Sequence, residues 1–142
     1  MKRNKAIPLF YLTILLLIGG CKGFAIEEKI IENYYLIATD DAEDLDLSYH
    51  EPSDGDIYGS VIGAKVFGVS YNDKYIIVKQ HPRIFPNPPN TNITYYYILP
   101  IKKSMDWKSK NGLIGPLSLE NFIQKRKELN IPEALQFNKK EY

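Results

Sequence analysis

Read for the spacing of apolar and polar residues, the chain changes character twice. Ala6 to Ile18 is apolar except for Pro8 and Thr13. From Asn33 to Leu99 short segments alternate apolar with polar residues or crowd Tyr with β-branched residues, as strands require. After Gly115 the apolar positions recur three and four residues apart, which is the period of one helix face.

The central stretch predicts strands over Asn33–Thr39 (NYYLIAT), Leu45–Tyr49 (LDLSY), Tyr75–Gln80 and Thr94–Leu99 (TYYYIL). Tyr58–Tyr71 reads as one long extended run, in which Gly59, Gly63 and Gly68 suggest a bulge or a close backbone approach. Ser53–Asp56 is a turn, and Asn72-Asp73 a tight hairpin, because Asn and Asp tolerate positive φ. Four Pro and three Asn make Pro82–Asn92 a loop. The helix is expected from Leu119 to Leu129, with Ser118 as N-cap, Leu117 and Phe122 as a hydrophobic staple, and Leu119, Phe122, Ile123 and Leu129 on its apolar face. Lys125, Arg126 and Lys127 complement the dipole at its end, and Asn130 and Pro132 stop it. The expectation is an α+β fold: an antiparallel β-meander of about five strands with one C-terminal helix packed on one face.

The N-terminal stretch has the three parts of a secretory signal: Lys2, Arg3 and Lys5, then the apolar run, then Gly19-Gly20 before Cys21. Thirteen residues fall short of the roughly 20 that a helix needs to cross a bilayer. Leu17-Ile18-Gly19-Gly20-Cys21 resembles the lipobox of bacterial lipoproteins. That resemblance implies a diacylglycerol on the Cys21 thiol and cleavage that leaves Cys21 as the new N-terminus. The expected organisation is a removed signal peptide at 1–20, a lipidated tether at 21–32 and a single domain at 33–142. The stretches Asn33–Asp40, Tyr71–Pro82 and Gly115–Pro132, in this order behind a lipobox, resemble a family of small uncharacterised bacterial lipoproteins. The resemblance implies an extracytoplasmic, lipid-anchored position on the cell membrane or outer membrane and a single-domain fold; the family carries no assigned activity, so no site residues follow from it.

Composition narrows the chemistry. One Cys and two His (His50 and His81) exclude an intramolecular disulfide and a structural zinc site of four Cys/His ligands. Beyond residue 20 the chain carries fifteen basic and seventeen acidic residues, so a sequence-wide basic footprint for nucleic acid is excluded. The halves are oppositely charged: Glu27–Asp56 holds eleven acids and one Lys, Tyr58–Tyr142 thirteen basic and six acidic residues. Asp40, Asp41, Glu43, Asp44 and Asp46 could supply oxygens to Ca²⁺, but the calcium-loop signature is missing and a solvated acidic loop is the plainer reading. The basic helix end could touch anionic lipid head groups or simply serve the dipole. No cofactor motif is present.

Two functional classes stay open on the sequence. One is a non-catalytic binding or accessory module, whose face would come from Tyr34, Tyr35, Tyr95, Tyr96 and Tyr97, with an envelope protein or glycan as partner. Neighbours in a strand point to opposite faces, so some of these rings should lie off the core side; the alternative is that they all pack a thin sheet. The other class is a small envelope hydrolase using His81 with an acid from 40–56.

Overall fold

The alternating stretch forms two antiparallel sheets. The structure is a computed structural model and describes residues 23–103 and 110–139; the expected signal peptide and Cys21 lie outside the described residues. The first sheet is β1 (Ile26–Ile31), β2 (Tyr34–Ala38), β3 (Asp46–His50) and β4 (Tyr58–Ile62), neighbours in that order. The second contains β5 (Val66–Tyr71), β6 (Tyr75–Gln80), β7 (Tyr95–Pro100), β8 (Ile114–Leu117) and the two-residue β9 (Asn138–Lys139), in the order β8-β7-β6-β5-β9. The single meander of about five strands is therefore corrected to two sheets.

The break falls inside the expected Tyr58–Tyr71 run. At Gly63–Lys65 the chain leaves the first sheet and enters the second, with Lys65 at φ 73°. Gln80 fixes this crossover: its Nε2 donates to the carbonyls of Gly63 (2.8 Å) and Ala64 (3.1 Å), and its Oε1 accepts from the Tyr97 hydroxyl (2.8 Å). The sheets stack face to face. Leu36, Leu47, Tyr49 and Val61 of the first share one core with Val69, Ile76, Val78 and Leu99 of the second.

The segment expected as tether contributes a strand. β1 pairs with β2 from Ile26 opposite Ala38 to Ile31 opposite Tyr34, and Ile30 enters the core. Its charged residues Glu27, Glu28 and Lys29 mask the pattern in sequence, yet charge is what an exposed edge strand tolerates.

A single α-helix is seen among the described residues, α1 (Leu119–Glu128). The Ser118 side chain accepts from the Asn121 N–H at 3.2 Å, and Asn130 at φ 54° ends the run before Pro132. It covers the outer face of the second sheet, where Phe122 packs with Ile77, Ile98 and Ile131. The apolar stripe is narrower than expected: Leu119 and Ile123 are 53% and 45% exposed. A ten-residue helix over β7 and β8 reaches the sheet mainly through Phe122.

Candidate functional site on the open face of the first sheet

Stacking the sheets redistributes the tyrosines. Tyr34 and Tyr97 are buried between them, and burial pushes both phenol pKa values up. Tyr96 lies under α1, its ring 5.0 Å from that of Phe122. Tyr95 is half-buried and lines a groove of about 500 Å³ with Ile84, Pro88 and Ile93. The expected exposed face on β7 is absent because the side opposite the helix is covered by the first sheet. Of the five candidate rings, only Tyr35 stands on the open face of the first sheet.

That face comes from strand alternation. In β3 the positions 46, 48 and 50 point away from the core while Leu47 and Tyr49 point into it. Lys29 on β1, Tyr35 on β2, Ser48 on β3 and Ser60 on β4 are successive cross-strand partners. Around Tyr35 gather Tyr58 (edge-on, 5.2 Å), His50 (6.0 Å) and the Lys29 ammonium, 5.8 Å from the ring centre. His50 stacks on Tyr58 at 4.8 Å, and Phe24 meets Tyr58 edge-on at 5.3 Å. Such ring pairs prefer these edge and offset geometries because of their quadrupoles.

Tyr58 spans the whole sheet. Its hydroxyl, from one edge strand, donates to Glu27 Oε1 on the other edge strand at 2.5 Å, and this bond chiefly pushes its pKa up to about 12. On the same face Ser48 is buried and donates to Asp46 Oδ1 at 2.8 Å. Burial raises the Asp46 pKa, against lowering by hydrogen bonds from Ser48 and Ser60.

Asp46, Ser48 and His50 thus bring an acid, a hydroxyl and an imidazole to one face. Their connections differ from a nucleophilic triad, where the imidazole stands between the other two. Here the Ser48 hydroxyl engages Asp46 directly, and His50 Nδ1 lies 3.1 Å from the Ile57 carbonyl. The face offers aromatic rings and hydrogen-bonding groups that hold one another in place, which suits recognition. Tyr58, His50, Phe24 and Glu27 were missed from sequence. The alternation of Asp46 and Ser48 was legible, but His50 lay beyond the expected strand, and the bridge from β4 to β1 was not legible.

The other sequence candidates are placed elsewhere. His81 stacks on Phe67 at 4.1 Å and its Nδ1 lies 2.9 Å from the Ile93 carbonyl; no ion pair joins it to an acid among the described residues. The acidic stretch folds as a short 3₁₀ turn at Ala42–Asp44, where Asp41 accepts from the Glu43 N–H. Asp44 pairs with Lys65 at 2.9 Å and Arg83 at 3.4 Å. Among the described residues no three His, Cys, Asp or Glu side chains gather as a metal site would need. No helix of the described residues is long and apolar enough to cross a membrane.

A family profile matches residues 31–141, from the end of β1 to beyond β9, so it spans both sheets and the helix. The chain belongs to DUF3997, a family of proteins of unknown function. Within this DUF3997 domain the profile reaches Tyr35, His50 and Tyr58 but begins after Phe24, Glu27 and Lys29. No curated protein and no solved structure gives a match.

Proposed function

We propose that this DUF3997 chain is a lipid-anchored, extracytoplasmic accessory module of a bacterial envelope, held through Cys21 and acting by binding rather than by catalysis. The observation that carries the anchor is the order of a basic start, an apolar run and Gly19-Gly20 ending on the chain's one cysteine. The sandwich supports it spatially: only residues 22–25 separate Cys21 from β1, so an acylated Cys21 would hold the domain against the lipid surface. More than one acyl chain is needed for stable attachment, which is what lipoprotein processing supplies.

Binding is favoured over hydrolysis by the way the polar groups of the open face are engaged. The Ser48 hydroxyl is given to Asp46, the Tyr58 hydroxyl to Glu27, and His50 Nδ1 to a carbonyl. Part-exposed Tyr35, His50 and Tyr58 remain as the contact surface, with an envelope protein or a glycan as the class of ligand.

Cell fractionation of the parent and of Cys21→Ser tests the anchor. The parent should sediment with membranes and carry the mass of its acyl chains, and the variant should lose both. A parent chain with no lipid mass refutes the reading. For the face, Tyr35→Ser with Tyr58→Ser should abolish cross-linking to the partner at unchanged secondary structure, whereas His81→Ala should leave it intact. A phenotype lost through His81→Ala in a folded protein would instead favour the hydrolase.

A further inference from the structure

The two most exposed large apolar side chains among the described residues are neighbours. Ile84 and Phe85 are 78% and 82% exposed, in the loop between β6 and β7. A soluble domain that displays such a pair in an ordered setting usually has a use for it. The setting is ordered: the Asn87 N–H donates to the Ile84 carbonyl, the Asn90 N–H to the Pro82 carbonyl and the Ile93 N–H to the Asn90 carbonyl, at 2.9, 2.9 and 3.2 Å. His81 Nδ1 holds the far side of the loop through the Ile93 carbonyl.

The loop stands at the end of the sandwich where the chain enters. Next to Ile84, Arg83 pairs with Asp44, which follows the end of β2. At that same end of β2, the Ala25 N–H donates to the Thr39 carbonyl and delivers the chain into β1. Cys21 is four residues earlier and so within about 14 Å along an extended chain. The basic end of α1 has the opposite placement: Leu129 and Asn130 lie beside the Asn72–Lys74 turn, at the other end of β6.

We infer that Ile84 and Phe85 insert into the bilayer that holds Cys21, making a second, non-covalent contact that fixes the orientation of the domain. This rests on the lipid-anchor reading. The occupant is the headgroup and acyl boundary of the membrane, where apolar side chains of peripheral proteins sit about 5–10 Å deep. Asp40, Asp41 and Glu43 at the same end oppose an anionic surface, so the contact depends on apolar burial and favours zwitterionic lipid. Insertion would turn the open face of the first sheet sideways to the membrane, where partners in the envelope can reach it.

The test uses the full lipidated chain in phosphatidylcholine vesicles, with Trp107→Phe to remove the native indole and Phe85→Trp as the reporter. Expected are a blue-shifted emission, quenching by lipids brominated near the glycerol end of their acyl chains, and weaker quenching when anionic lipid is added. Ile84→Ser in the same background should reverse much of the shift without changing thermal unfolding, because the residue is exposed. Unquenched, water-like emission from a protein that still floats with the vesicles overturns the insertion while sparing the anchor. A blue shift that follows protein concentration without vesicles overturns it in favour of a second copy of the chain. A protein that neither floats nor carries acyl mass overturns the anchor and this inference together.

Discussion

Gly115→Ala should be among the most damaging single-methyl changes in the domain. Gly115 sits in β8 at φ 134°, a conformation that L side chains rarely adopt. A Cβ there would lie 2.6 Å from Tyr97 Cδ1 and 2.8 Å from the Tyr96 carbonyl oxygen. Neither neighbour can retreat, because one is backbone paired in the second sheet and the other is a ring buried between the sheets. Backbone strain at such a residue costs about 1–3 kcal/mol. Overpacking adds about 1–3 kcal/mol, giving a loss of about 2–6 kcal/mol against a total of about 5–15 for a domain of ordinary stability. With a urea m-value of about 1–3 kcal/mol/M, a loss of about 3 kcal/mol lowers the unfolding midpoint by about 1–3 M at constant slope. Gly63→Ala is the control, since its Cβ meets only Gln80 Nε2 at 4.0 Å; its midpoint should stay put or rise slightly. A Gly115→Ala midpoint indistinguishable from that of Gly63→Ala refutes the reasoning.

Phe122→Ala removes the one fully buried side chain of α1 and should cost about 3–5 kcal/mol in denaturant unfolding, with loss of helix signal alongside the sheet. Tyr58 should appear in an ultraviolet titration, as the difference between parent and Tyr58→Phe, as one phenol titrating at about 12. Because its folded value is raised, the stabilisation is complete below the ordinary phenol range and is lost as pH rises through about 12; Glu27→Gln should move the titration down, and an unchanged curve would sink the bridge. Asp46 also has a raised folded pKa, so its contribution is present below the ordinary carboxylate range and lost as pH rises through the folded value. Asp46→Asn should therefore be more stable than the parent at neutral pH, with the gap closing on acidification, and a gap that widens in acid would contradict it.

What could be read from the sequence was whatever depends on neighbours along the chain. Ser118 caps α1 and Asn130 and Pro132 end it, each from signals a few residues wide. The Asn72-Asp73 hairpin joins β5 to β6 as expected, but neither residue takes the positive φ expected of it; the turn is held by Asn72 Oδ1, which accepts from the Lys74 and Tyr75 N–H groups. The helix covers the face that Tyr96 and Ile98 share; alternation puts the two on one face but does not say which face the helix takes. The cover on the other face of β7 was not legible, because it comes from strands far upstream whose own pattern is the same whether they share a sheet or face one. The expected aromatic surface shrank accordingly to Tyr35. Its actual companions come from β3, β4 and the chain at and just before β1, and the bond from Tyr58 to Glu27 spans 31 residues. The cysteine reading rests on residues that precede the sandwich and lie outside the described ones.

β9 is only two residues long, yet it occupies the free edge of β5 by pairing Lys139 with Gly68 and Asn138 with Val69. So short a strand frays at little cost, and each opening presents the amides and carbonyls of β5 as a template for another chain. β5 carries Val66, Val69 and Tyr71 and no charge, which makes it a good template. Self-association should therefore begin there, at a rate set by the opening of β9 and by concentration and not by global unfolding. Those two paired residues thus act as the domain's guard against growth of the sheet from one copy of the chain to the next.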